Sequence, residues 1–131
     1  MSKTFTGFIL LLACLLLVGC NSDNDTHTVK NGTYIMKHKE ADGFIIPSVT
    51  ISDATISFYF DGLSSYWPRG SYSIEEDILT MTTDDNLYIY VFQIDGDNLI
   101  FQQEESSLIE MKNSNFGVKV TDKAKFKLED D

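Results

Sequence analysis

From Gly32 onward the chain alternates apolar and polar residues with a period of two. Val49 and Ile51 alternate with Ser48, Thr50 and Ser52, and Ile56, Phe58 and Phe60 with Thr55, Ser57 and Tyr59. Tyr72 and Ile74 alternate with Ser71 and Ser73, Leu79 and Met81 with Thr80 and Thr82, and Leu99 and Phe101 with Asn98, Ile100 and Gln102. Successive side chains of a strand point to opposite faces, so this period, rich in Thr, Tyr, Phe and Ile, predicts strands. Tyr34-Ile35-Met36 fits the same pattern with Ile35 facing inward. Leu87 to Ile94 is apolar or aromatic at nearly every position, which predicts a central strand covered on both sides. Weaker strands are predicted at Val118-Lys119-Val120 and Lys125 to Leu128. No long stretch carries a helical period, and only residues 105–115 leave room for a short helical turn.

Turn-forming residues separate these runs: Ser52-Asp53, Glu75-Glu76-Asp77, Asp84-Asp85-Asn86 and Asp95-Gly96-Asp97. Gly96 tolerates positive φ and Asp bonds its own backbone, so Asp95-Gly96 is the strongest hairpin signal. Turns spaced roughly 8–12 residues apart indicate an antiparallel meander. The expectation is a single all-β domain over residues 32–131, closing into a small barrel or a strongly curved sheet, with two facing sheets as the alternative. A barrel removes the exposed edges that invite aggregation. The expected core is Ile35, Val49, Ile51, Ile56, Phe58, Phe60, Tyr72, Ile74, Leu79, Met81, Ile89, Val91, Phe92, Leu99 and Phe101. Phe58 to Gly62 echoes Phe92 to Gly96, a match too short to separate from shared hairpin grammar.

Charge narrows the choice of partners. The chain has 10 Lys and Arg against 20 Asp and Glu, a formal charge of −10. Nucleic acid binding calls for clustered basic residues, so no nucleic acid partner is expected. Adhesion to anionic lipid or wall polymers through charge is disfavoured, whereas a cationic partner is attracted. Solubility alone is the plainer use of such a charge.

The N-terminal residues form a separate segment. Lys3 precedes an apolar run from Phe8 to Val18, which is far short of the roughly 20 residues that span a bilayer. A charged start, a short apolar stretch and a small residue compose a secretory signal. The run ends in Leu17-Val18-Gly19-Cys20, which resembles the lipobox of bacterial lipoproteins. The resemblance implies cleavage after Gly19, a diacylglyceryl thioether on Cys20, and a protein anchored by lipid on the extracytoplasmic face of the cell membrane. Asn21 stands where an Asp would signal inner-membrane retention in Gram-negative bacteria. An ordinary signal with a chance Cys is the alternative. On the lipoprotein reading, residues 1–19 are the signal peptide and residues 20–31 are the lipidated Cys and a flexible polar tether. Its eleven residues from Asn21 to Asn31 reach at most about 36–40 Å. Cys14 leaves with the leader and Cys20 is acylated, so no disulfide forms in the mature chain.

Candidate chemistry is sparse. Leu63 to Gly70 holds the sole Trp and the sole Arg, and Tyr66, Trp67 and Arg69 are residue types that dominate binding hot spots. The alternative has Trp67 capping the core and Arg69 pairing with a turn carboxylate. Asp84, Asp85, Asp95 and Asp97 lie in turns without the spacing of a calcium loop. Glu75 with Glu76, or Glu104 with Glu105, supply adjacent acids, but strand neighbours face opposite ways and make no hydrolytic pair. His27 and His38 are too few for a zinc site, and no metal or cofactor is expected. Asn31-Gly32-Thr33 matches a glycosylation sequon, which is irrelevant to a bacterial lipoprotein.

Phe58-x-Phe60, Leu63-Ser-Ser-Tyr66, Gly70-x-Tyr72, Leu79, Tyr90-Val-Phe92, Leu99-x-Phe101 and Ser106-Ser107 resemble a small secreted β module of Gram-positive bacteria. Such modules occur as lone lipoproteins and as extracellular tails of BlaR-type membrane sensors, and the barrel reading resembles lipocalin-like lipoproteins. The resemblance implies a non-enzymatic binding or sensing module with an envelope or cationic partner. The alternatives are a carrier of apolar ligands within a hollow barrel and a hydrolase of envelope polymers.

Overall fold

The computed structural model describes residues 28–38, 45–110 and 118–130. Residues 1–19, expected to be a leader, lie outside the described residues, as do Cys20 and His27. Eight strands follow in order: β1 (Gly32–Met36), β2 (Ser48–Ser52), β3 (Thr55–Tyr59), β4 (Arg69–Glu75), β5 (Ile78–Thr83), β6 (Ile89–Asp95), β7 (Asn98–Phe101) and β8 (Lys125–Leu128). Each strand pairs antiparallel with the next, and β8 returns to β1, so the sheet closes into a barrel. The alternative of two facing sheets is thereby overturned. Residues 103–105 form a turn rather than a helix, and residues 111–115 of that expected helical turn lie outside the described residues. Val118 to Val120 is no strand either. Val118 N–H donates a single bond to the Ile45 carbonyl, at 3.1 Å, and Val120 drops into the core.

The two ends of the barrel differ. At one end the strands are joined by two-residue turns, Asp53-Ala54, Glu76-Asp77 and Gly96-Asp97. The first residue of each turn has positive φ, the backbone requirement of tight hairpins. Chain entry is fastened at this end. The Asn31 side-chain amide donates to Asp53 Oδ1 at 3.1 Å and accepts from Asp53 N–H at 2.9 Å. Tyr34 donates its hydroxyl to the Lys30 carbonyl, and Lys30 pairs with Asp97. Val29 packs against the core. The stretch expected to be a free tether up to Asn31 is therefore docked from Val29 onward. Longer connections occupy the opposite end, including the β3–β4 loop at 60–68 and the β5–β6 loop at 84–88.

An aromatic cluster fills the barrel axis. Phe58 is fully buried, with its ring 5.0–6.0 Å from those of Phe60, Tyr90, Phe92, Phe101 and Phe126, mostly edge to face. Val49, Ile51, Ile56, Leu79, Met81 and Leu99 complete it. Three expectations about the core are corrected. Ile35 faces outward, and Tyr34 and Met36 are buried instead, because pairing with β2 and β8 sets the phase of β1. Ile89 is 44% exposed, and Tyr90, Phe92 and Ile94 take the inward positions of β6. Tyr72 and Ile74 are only half-buried; Tyr72 stands at the rim and donates its hydroxyl to the Asp53 carbonyl at 2.6 Å.

Val91 is buried although it faces away from the axis, because β7 is shorter than β6 and the chain after β7 folds back over it. Gln102 N–H donates to the Val91 carbonyl, Val91 N–H donates to Ser106 Oγ at 2.8 Å, and Ile89 N–H donates to Ser107 Oγ at 2.9 Å. Serine hydroxyls thus replace the missing strand as partners for β6. Ser106→Ala should leave the part-buried Val91 N–H without its acceptor and cost about 1–3 kcal/mol. Ser107→Ala, at an exposed N–H that water can serve, should cost about 1 kcal/mol or less. Urea unfolding midpoints of the two variants check this order.

Candidate functional site

Strand geometry positions the distinctive loop residues. Gly70 faces the interior opposite Ile56 and Thr83, so its neighbour Arg69 projects outward at the start of β4. The Pro68 carbonyl accepts from Phe58 N–H and the Arg69 carbonyl from Asp84 N–H, which tie the end of the loop to both flanks. Within the loop, Asp61 Oδ1 accepts from Leu63 N–H and Ser64 Oγ from Tyr66 N–H, the self-bonding expected of Asp and Ser in turns.

Trp67 does not cap the core. It is 64% exposed and lies on the outward ring of Tyr59, with centroids 5.3 Å apart. Arg69 makes no ion pair among the described residues. Together they border a groove of about 440 Å³ on the barrel flank, whose floor carries the hydroxyls of Thr50, Ser52, Thr55 and Ser57. An open indole face, a guanidinium donor and a row of hydroxyls suit a flat ligand rich in acceptors.

Tyr66 turns the other way. Its hydroxyl donates to Asp85 Oδ2 at 2.7 Å and its ring lies 5.4 Å from that of Tyr88. It borders a second groove of about 590 Å³ at the long-loop end, shared with Phe60, Asp61, Leu87, Tyr88, Tyr90, Leu108 and Glu110. Trp67 and Arg69 therefore border one groove and Tyr66 another, while Tyr66 and Trp67 share only a small pocket of about 80 Å³ between them. Tyr88, Tyr90, Leu108 and Glu110 carried no sequence signal as site residues beyond the Tyr88-x-Tyr90 alternation, because they join Tyr66 only through the folded end.

Asp85 organises this end. The Thr83 hydroxyl, the Leu87 N–H and the Tyr66 hydroxyl all donate to it, and these bonds hold its carboxyl below the ordinary carboxylate range. Burial raises the Tyr66 phenol, and its bond to Asp85 raises it further. Tyr90 is 2% exposed, and burial pushes its phenol up to about 12 from the ordinary 10.0. The unfolded chain releases that proton first as alkali is added, so stability should fall between pH about 10 and 12. The slope should approach about 1.4 kcal/mol per pH unit. Tyr34, raised by burial in the same direction, adds to the fall. Thermal unfolding from pH 9 to 12 should show a flatter decline in Tyr90→Phe than in the parent chain.

The other candidate groups do not converge. Asp84 and Asp85 sit at the long-loop end, Asp95 and Asp97 at the tight-turn end; Glu75 and Glu76 are likewise an entire strand away from Glu104 and Glu105. Among the described residues, no three His, Cys, Asp or Glu side chains come together as a metal site. The protein is thus a closed, eight-stranded antiparallel meander barrel with a filled aromatic core and external grooves. Set against known proteins, the chain matches no family model, no curated protein and no solved structure.

Proposed function

We propose that this chain is a lipid-anchored extracytoplasmic protein that binds or senses an envelope component without catalysing a reaction. The observation that carries the reading is polarity. The segment leading back toward Cys20 enters at the tight-turn end, fastened by Asn31 and Lys30, while the long loops crowd the opposite end. A membrane anchor at Cys20 would leave those loops pointing away from the bilayer. Surface loops on a rigid scaffold are where recognition concentrates. The Trp67–Arg69 flank supports an acceptor-rich ligand. A hollow carrier finds no support, because aromatic rings occupy the barrel axis.

Two measurements test this. Expressed with its own leader in a bacterial host, the chain should fractionate with membranes and carry a diacylglyceryl thioether on Cys20 by mass spectrometry. Cys20→Ala should abolish the modification. An unmodified thiol on protein from the cytosol would overturn the anchor. Pulldown from envelope extract should recover a partner that Trp67→Ala and Arg69→Ala lose; a partner retained by both variants would overturn the flank as its binding surface.

A further inference from the structure

We infer that the Trp67–Arg69 flank is a carbohydrate site, and that it takes a sugar ring bearing a carboxylate, as an acidic envelope glycan supplies. The inference rests on the binding reading of that flank and names its ligand; it does not depend on lipidation.

The platform is set before any ligand arrives. Trp67 precedes Pro68, which restricts its backbone to extended conformations. The Pro68 carbonyl accepts from the Phe58 N–H of β3 at 3.0 Å, and the ring of Tyr59 lies against the indole at 54°. The indole is thus held in place yet 64% exposed. An aromatic surface already fixed in its working position loses little freedom on binding. A pyranose with equatorial hydroxyls has a flat face of weakly positive C–H bonds, which suits the negative face of an indole.

Register sets the polar groups in rows. Thr33, Thr50, Ser57 and Arg69 stand opposite one another across β1, β2, β3 and β4. Ser52, Thr55 and Ser71 form a second row two residues along. Neighbouring strands lie about 4.7–4.9 Å apart, so hydroxyls recur at that interval along the floor of the groove. The hydroxyls of Thr33 and Thr50 bond each other at 3.3 Å, and Thr55 donates to the Ser52 carbonyl at 2.9 Å, which leaves the Thr55 oxygen as an acceptor. Groups that both donate and accept match a polyol, which does the same around its rim. Arg69 closes the first row. Its guanidinium fork can bond both oxygens of a carboxylate, a fit that a lone hydroxyl cannot equal. The chain's charge of −10 works against a dense polyanion, so the fitting glycan carries isolated carboxylates. The volume of about 440 Å³ falls among those of small-molecule sites.

Trp67 is the sole Trp, so its fluorescence reports on the site without a label. The full chain, with phosphatidylcholine vesicles present and protein-free vesicles as the blank, is titrated with cellobiouronic acid, its methyl ester and cellobiose. The acid should saturate and shift the emission, and the ester and cellobiose should bind about tenfold more weakly. Arg69→Gln should bring the acid down to the level of the ester. Trp67→Ala, followed by calorimetry, should weaken all three sugars. Equal affinity for acid and ester, no saturable change, a preference for the acid that survives Arg69→Gln, or an unchanged affinity in Trp67→Ala would overturn the site. Failure of the sugars leaves the pulldown through Trp67 and Arg69 untouched, and a partner retained by both variants leaves the sugar titration untouched, so the two readings fail separately.

Discussion

Phe58→Ala should lose about 3–5 kcal/mol of stability, the usual cost of emptying a buried aromatic site. A domain of this size has only about 5–15 kcal/mol in total, so much of the variant's margin disappears. The effect should be large because Phe58 touches rings from β6, β7 and β8 as well as Phe60 in the loop that follows its own strand. It is the point where opposite sides of the barrel meet, and neighbouring strands cannot collapse into the space without breaking the closure. Phe58→Leu, which refills part of the volume, should recover a substantial share. Urea unfolding followed by near-ultraviolet circular dichroism measures both. A loss under about 1 kcal/mol for the Ala variant would mean that the axis is not packed around this ring.

Gly70→Ala should be comparably damaging for the opposite reason. A Cβ at Gly70 would lie 1.9 Å from the Thr82 carbonyl oxygen and 2.8 Å from Thr83 Cα, both of them backbone. No rotamer change relieves such a clash; β4 must move away from β5 and give up ladder bonds. The expected cost is about 3 kcal/mol, the upper part of the range for overpacking. The adjacent Ser71 faces solvent, and Ser71→Ala should change stability by about 0.5 kcal/mol or less. Parallel thermal denaturation of the two variants checks the contrast. Equal melting temperatures would show that β4 has slack at Gly70.

How much of this was legible in the sequence depends on where polar residues mark the phase. In β2, β3 and β5 every inward apolar residue has a Ser or Thr beside it, and the buried positions follow directly from alternation. In Tyr34-Ile35-Met36 no polar residue tells one face from the other, and in Leu87 to Ile94 Gln93 alone does so, at the far end of the run. The inward set there is chosen by register with strands distant in sequence, which explains the misplacement of Ile35 and Ile89. Phe126 sits between Lys125 and Lys127 and read as part of a weak strand, yet it meets Phe58 and Phe92 in the core. The candidate site was legible only as a loop of unusual residues. Tyr66 and Trp67 are neighbours in sequence and share a small pocket, but each borders a different larger groove, and the partners of Tyr66 come from β5–β6 and from the chain beyond β7. Long-range convergence of that kind leaves no local spacing to detect.

The seam between β1 and β8 has a consequence for biogenesis. Three residue pairs join the first described strand to the last. Until residue 128 has emerged, β1 and β7 both present unpaired edges, and no shorter N-terminal fragment can complete the ring. Closure across nearly the whole chain is entropically slow, since its most distant partners must find each other before the circle is rewarded. A chain that crosses a membrane as an extended thread would benefit from that delay: it stays threadable until translocation is nearly finished, and locks only afterward.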